Sequence, residues 1–147
     1  MELKRLGNTS VMVPEIGLGV WKYRGGIEPL RRGIELGAFL IDTAEMYRTE
    51  DVVGQAVKNI RDRVFIATKV SGGHLHYDDV LRAAEASLRQ LQTDAIDLYQ
   101  VHWPNSRVPL KETMRAMMPR PRPPNCGPRL RNKSRCNGAT PREAAIF

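Results

Sequence analysis

The sequence predicts an α/β protein built on a parallel sheet, and three observations carry that expectation. Short apolar runs alternate with amphipathic segments. The alternation recurs about every thirty residues, the length of one βα unit. Three of the four runs also end in a polar residue with chemical uses.

The apolar runs are Ile16–Trp21, Ala38–Ile41, Val64–Thr68 and Ile96–Val101. They are short, partly β-branched or aromatic, and bounded by Gly, Asp or Lys, as buried strands are. Ahead of them, Leu3–Leu6 and Val11–Val13 flank Gly7–Asn8, which predicts a small hairpin. Helical patterns fill the gaps. Glu28–Leu36 is followed by Gly37, placed to end a helix in a left-handed conformation. Asp51–Ile60 has Thr49 ahead of it as an N-cap. Asp79–Leu91 puts Val80, Leu81, Ala84, Leu88 and Leu91 on one face and a Glu85–Arg89 pair on the solvent side. A fourth helix begins after Pro109, and its pattern stops near Met117. A doubly wound sheet and a (β/α)₈ barrel both fit this alternation.

With 147 residues, 41% hydrophobic and 27% charged, the chain has the composition of one globular domain. No apolar run approaches the roughly 18 residues of a spanning helix, so no membrane role is expected. The opening MELKRLG carries charge with no apolar stretch behind it, which predicts no secretory signal and a cytoplasmic location. Two cysteines, Cys126 and Cys136, are too few for a disulfide scaffold. The net charge of +7 is unevenly placed: residues 118–147 carry +6 and residues 1–117 carry +1. The last thirty residues also hold six of the ten prolines and show no apolar period. Residues 1–117 are therefore expected to form the folded unit and 118–147 a disordered basic tail. An Arg- and Pro-rich stretch of this kind is what out-of-frame reading of GC-rich DNA gives. The tail would attract phosphate backbones, but Phe147 is its only aromatic, so a nucleic-acid role ranks last.

The run FLID ends in Asp42, FIATK in Lys69 and LYQVH in His102. Their spacings, 27 and 33 residues, are each about one βα unit, so neighbouring strands would bring them together. In a barrel that end of the strands is the catalytic face. Tyr47 lies five residues past Asp42, in the loop over the same face. A tyrosine, titrating ordinarily at about 10, is a poor acid at neutral pH. An adjacent ammonium stabilises the phenolate, a carboxylate fixes the ammonium, and a histidine orients a carbonyl oxygen. Such a set protonates an alkoxide while hydride arrives from a cofactor, since no side chain donates hydride. Singly, each residue has a plainer use as a cap, a solvated strand end, a hydrogen-bond donor or packing. Their joint occurrence points to catalysis. His74 and His76 stand two apart without a third ligand, so no metal site is expected.

GLGVW at 17–21, IDTAEMY at 41–47, the lysine of IATKV at 66–70 and IDLYQVHWP at 96–104 closely resemble the aldo-keto reductases. The opening LKRLGNTSVMVPEIGLG is similar to that family's hairpin at the barrel bottom. The resemblance covers about residues 1–117 and implies a partial (β/α)₈ TIM barrel, the hairpin plus four βα units. It implies that Tyr47 is the general acid, Lys69 and Asp42 its tuning pair, and His102 the carbonyl-orienting residue. It also implies that Gly19, Val20, Trp21 and Asp42 lie at the nicotinamide of NADPH, with Trp21, His102 and Trp103 against a small carbonyl substrate. The implied activity is NADPH-dependent reduction of aldehydes or ketones to alcohols. Beyond the fourth strand the sequence departs from the family. A Gly-Val-Ser-Asn-like fifth strand, and the later residues that grip the nicotinamide amide, pyrophosphate and adenosine phosphate, have no counterpart here. This chain is therefore expected to be weak or inactive by itself, and to self-associate through exposed sheet edges. The alternative is a non-catalytic interaction module of the same fold, since the family includes channel-associated subunits.

Overall fold

A computed structural model describes residues 1–118. The expectations for the basic tail, including Cys126 and Cys136, fall on residues 119–147, outside the described residues. The chain opens with an antiparallel hairpin of β1 (Leu3–Arg5) and β2 (Met12–Pro14), with Lys4 opposite Val13. The connection is longer than the Gly7–Asn8 pair predicts. It is closed by the Leu6 carbonyl, which accepts from the Thr9 hydroxyl at 2.6 Å, and by the Leu6 N–H on the Val11 carbonyl at 2.9 Å.

Four parallel strands follow: β3 (Leu18–Gly19), β4 (Leu40–Asp42), β5 (Phe65–Val70) and β6 (Leu98–Val101). Their spatial order is their sequence order. A doubly wound sheet reverses strand order at a switch point, whereas sequential order is the winding of a barrel segment. β3 is far shorter than the run Ile16–Trp21 from which it was predicted, because it is an edge strand and both ends of that run are exposed.

The crossovers carry α1 (Glu28–Glu35), α2 (Glu50–Val57) and α3 (Tyr77–Gln90), and α4 (Leu110–Met117) follows β6. Gly37 lies just past α1 at φ +98°, the left-handed stop its position predicts. α2 ends three residues before the predicted Ile60, and a 3₁₀ turn at Arg61–Arg63 leads into β5. Thr49 is at the N-cap position, but its hydroxyl meets the Thr43 hydroxyl at 3.3 Å and caps nothing. α3 starts two residues earlier than the pattern predicts, where α4 meets one backbone donor and one backbone acceptor of the chain. Glu112 of α4 accepts the Tyr77 N–H at 3.0 Å, and the Thr113 hydroxyl donates to the Leu75 carbonyl at 2.8 Å. The backbone N–H of Tyr77 and the nearby His76 hold the Glu112 carboxyl below its ordinary range.

Ile41, Ile66 and Val70 from the strands and Val53, Val57, Val80 and Leu91 from the helices are fully buried together. Gly54 lets α2 approach the end of α3, since a methyl there would come within 2.6 Å of the Leu91 backbone. At the end of the sheet opposite the strand tips, Arg61 binds the Asp97 carboxylate at 2.6 Å and the Ala95 and Val64 carbonyls at 2.8 and 2.7 Å. Asp97 in turn accepts the Ile66 N–H at 2.8 Å, tying β5 to the approach of β6. Among the described residues, no helix is long and apolar enough to cross a membrane.

Between the sheet and its helices sits a buried carboxyl, Glu50, which accepts the Thr68 hydroxyl at 2.6 Å. Burial raises its affinity for a proton above that of an ordinary carboxyl, outweighing the Thr68 hydrogen bond. The fold therefore favours the neutral acid. That contribution is complete below the ordinary carboxyl range and is lost as pH rises through the raised value. Glu50→Gln keeps an acceptor for Thr68 and removes the ionisation. Thermal melts at several pH values should show the variant matching or exceeding the parent at pH about 8, with a flatter profile. A variant that melts well below the parent at that pH would refute burial as the dominant cause.

Candidate active site

Parallel pairing brings the C-terminal ends of the strands to one side, and the predicted residues meet there. Gly19 is opposite Asp42, Asp42 opposite Ala67, and Lys69 opposite Gln100. The Lys69 ammonium lies 2.7 Å from Asp42 Oδ1 and donates to the Thr43 carbonyl at 2.9 Å. Its side chain is 15% exposed whereas Asp42 keeps 45% of its side chain open, so the pair is shielded from solvent on the lysine side only.

Tyr47 closes a 3₁₀ turn, Glu45–Tyr47, that leaves β4 over the strand tips. The chain then reverses through Arg48 at φ +55°, a region that non-glycine residues seldom occupy. The Lys69 ammonium is 5.2 Å from the Tyr47 ring centre. His102 follows β6 and donates its N–H to the Val70 carbonyl at 3.0 Å, extending the ladder by one residue. Its ring meets Tyr47 edge-on at 5.4 Å between centres, with Nε2 3.5 Å from the Tyr47 hydroxyl. That distance is beyond a firm hydrogen bond, and it leaves both groups aimed at a shared space. Burial, then the Lys69 ammonium, lowers the His102 proton affinity, with Asp42 opposing. These influences favour the neutral imidazole.

Around this centre, Trp103 lies 3.9 Å from the His102 ring in a tilted stack and is half exposed. Gly72 makes that placement possible, because a Cβ there would stand 2.8 Å from the indole. Asn105 donates to the Gly72 carbonyl at 3.1 Å and joins the two loops. Trp21 is 66% exposed after β3, with the Lys22 ammonium over its ring. Gly19 opens onto free space, whereas the Val20 side chain is wholly in the core and offers only backbone to the face.

Thus Asp42, Tyr47, Lys69 and His102 converge, with Trp103 on His102. Sequence reasoning missed the loop ties. Gly72 and Asn105 are two. Glu45 is a third: it accepts the Ser71 N–H at 2.9 Å and a proton from His74 Nδ1 at 2.5 Å. His76 goes instead to Glu112 at 3.1 Å, so the two loop histidines serve different carboxylates. Glu45 stands inside the motif IDTAEMY, but no spacing rule connects it to a loop 26 residues downstream.

Comparison with known proteins settles the family. The sequence model of the Aldo/keto reductase family matches residues 15–118. The chain belongs to that family. Among curated relatives, it is 37% identical over 140 residues to the aldo-keto reductase YhdN of Bacillus subtilis, covering 80% of this chain and 42% of that protein. It is 43% identical over 118 residues to the methylglyoxal reductase YeaE of Escherichia coli, covering 73% and 41%. Among solved structures, the thermostable aldo-keto reductase Tm1743 superposes with a TM-score of 0.74 at 41% identity, over 80% of this chain and 48% of that one. An aldo/keto reductase from Klebsiella pneumoniae, in complex with NADP and acetate, gives 0.68 at 46%, over 72% and 41%. The chain therefore spans about two fifths of the length of these curated relatives.

The neutral state of His102 is directly measurable. In an NMR titration its ring should titrate below 6.5, and Lys69→Met should move the midpoint upward by removing one of the two lowering influences. An unchanged midpoint in the variant would mean that the ammonium does not act on the imidazole.

Proposed function

We propose that residues 1–117 form the proton-delivering side of an NADPH-dependent reduction of aldehydes and ketones to alcohols. The observation that carries this reading is the Tyr47 hydroxyl, 3.5 Å from His102 Nε2 and beside the Asp42-bound ammonium of Lys69. A carbonyl oxygen seated between hydroxyl and imidazole accepts from both, which orients the carbonyl carbon. As negative charge grows on that oxygen, the Tyr47 hydroxyl gives up its proton and the ammonium stabilises the phenolate left behind. Asp42 and the Thr43 carbonyl keep Lys69 in place through the step. Neutral His102 directs the oxygen without competing as the acid.

This donor set can protonate but cannot reduce, and that chemistry fits a nicotinamide cofactor. NADPH, when bound, supplies the hydride. Gly19, Trp21 and Asp42 are the residues that would hold its ring, Gly19 because its α-carbon faces open space. The Klebsiella relative in complex with NADP supports the choice of cofactor. The relatives called methylglyoxal reductase and glyoxal reductase make small, reactive dicarbonyls the first substrates to try.

The role of Tyr47 is best tested in a barrel-length chimera whose first 117 residues are these. Tyr47→Phe should lower aldehyde reduction about 10²–10⁴-fold and leave NADPH affinity nearly unaltered, because the hydroxyl acts on the substrate oxygen. Near-parental turnover would exclude the assignment.

For the 147-residue chain itself, the proposal is weak cofactor binding and self-association. The family's phosphate-gripping segments have no counterpart in this sequence. β3 and β6 are the two edges of the sheet and offer unpaired backbone to a second copy. Fluorescence titration should detect little NADPH binding, no aldehyde-dependent loss of NADPH absorbance should be seen, and size-exclusion chromatography should show dimers or larger species. Micromolar binding with turnover that Lys69→Met abolishes would show instead that this half is sufficient.

A further inference from the structure

The turn that carries Tyr47 has little to hold it in place by itself. It is a single 3₁₀ turn, closed by the Tyr47 N–H on the Ala44 carbonyl at 2.9 Å and the Arg48 N–H on the Glu45 carbonyl at 3.4 Å. One such turn is not self-supporting. Arg48 leaves it in a left-handed conformation, which persists only where the surroundings over-determine it. The Tyr47 hydroxyl adds no firm anchor, its nearest polar partner being 3.5 Å away. Yet its distance from the Lys69 ammonium has to be kept for the phenolate to be stabilised.

Glu45 answers that need. Its Oε2 accepts the Ser71 backbone N–H at 2.9 Å, and its Oε1 accepts the His74 Nδ1 proton at 2.5 Å. A carboxylate has no proton of its own to give, so His74 carries its proton on Nδ1. Ser71 is two residues after Lys69 and directly follows β5. The two oxygens of one side chain therefore fasten the acid-bearing turn to the strand that bears the ammonium. The Glu45 side chain is 22% exposed and its bond to Ser71 is partly shielded from water, whereas His74 is 53% exposed.

We propose that Glu45 is a positioning residue for the proton donor: with Ser71 and His74 it forms a two-point latch that sets the Tyr47–Lys69 geometry. The latch rests on the reductase reading for its purpose, but its test reads geometry and not turnover. The 147-residue chain, labelled at the tyrosine ring carbon that bears oxygen, gives NMR signals for its four tyrosines, and Tyr47→Phe identifies the relevant one. In the parent, Lys69→Met should shift the Tyr47 signal. In Glu45→Ala the Tyr47 signal should already be displaced, and adding Lys69→Met should shift it much less. Glu45→Gln retains an acceptor for Ser71, and its amide N–H reaches Nδ1 once His74 takes its other tautomer, so it should restore most of the parental response. His74→Ala removes one of the two points and should give a partial displacement in the same direction, which keeps the test open should Glu45→Ala fail to fold. The proposal is overturned if Glu45→Ala leaves the Tyr47 signal and its response to Lys69→Met unaltered. It is equally overturned if Glu45→Gln displaces the signal as far as alanine does, or if His74→Ala has no effect. Loss of the reductase reading, shown by an active Tyr47→Phe chimera, would leave these signals untouched, so the two failures are distinguishable.

Discussion

Lys69 reaches Asp42 because β4 and β5 are paired in parallel with Asp42 opposite Ala67, two residues short of the lysine. A slip of one residue would turn Lys69 toward the helices, where Ile66, Thr68 and Val70 are packed. The register of β5 against its other neighbour, β6, is fixed at the opposite end of the sheet. There Asp97, gripped by Arg61, accepts the Ile66 N–H and fixes where β5 begins relative to β6. The two ends of the sheet thus divide the labour: one sets positions, and the other uses them.

Electrostatics then separates the roles of the groups so assembled. The ammonium is held by a carboxylate and a carbonyl, and the adjacent imidazole is kept neutral chiefly by burial and secondarily by that ammonium. In the proposed reduction, a protonated histidine here would compete with Tyr47 as the acid, whereas the neutral group directs the carbonyl oxygen. The stacked Trp103, seated by the close approach of Gly72, fixes the imidazole plane, so the orientation comes from packing.

The strands, the helices and the clustering of Asp42, Tyr47, Lys69 and His102 were legible in the sequence because their signals are local or periodic. Asp42, Lys69 and His102 each close an apolar run, and parallel topology converts that shared position into proximity. What was not legible depends on pairs far apart along the chain. Arg61 with Asp97, Glu45 with His74 and Glu112 with Tyr77 are separated by 36, 29 and 35 residues, and none belongs to a repeating pattern. The end of α2 was misread for a different reason. Ile60 continues the apolar period and still packs on the core, although the chain has already left the helix at Val57. Apolar character alone also overstated β3, whose flanking Ile16 and Trp21 are exposed at an edge.

The cap on α3 bears on the order in which the molecule is made. A helix normally finds its N-terminal acceptor one residue ahead of itself, already synthesised when the first turn forms. Here the acceptor for the Tyr77 N–H is Glu112, which leaves the ribosome 35 residues later. The first turn of α3 gains this bond only when α4 docks, so the start of the third crossover helix is coupled to the helix that follows β6. The loop bearing His74 and Leu75 lies directly before that turn, and the Thr113 hydroxyl on the Leu75 carbonyl ties the rim of the site to α4 as well.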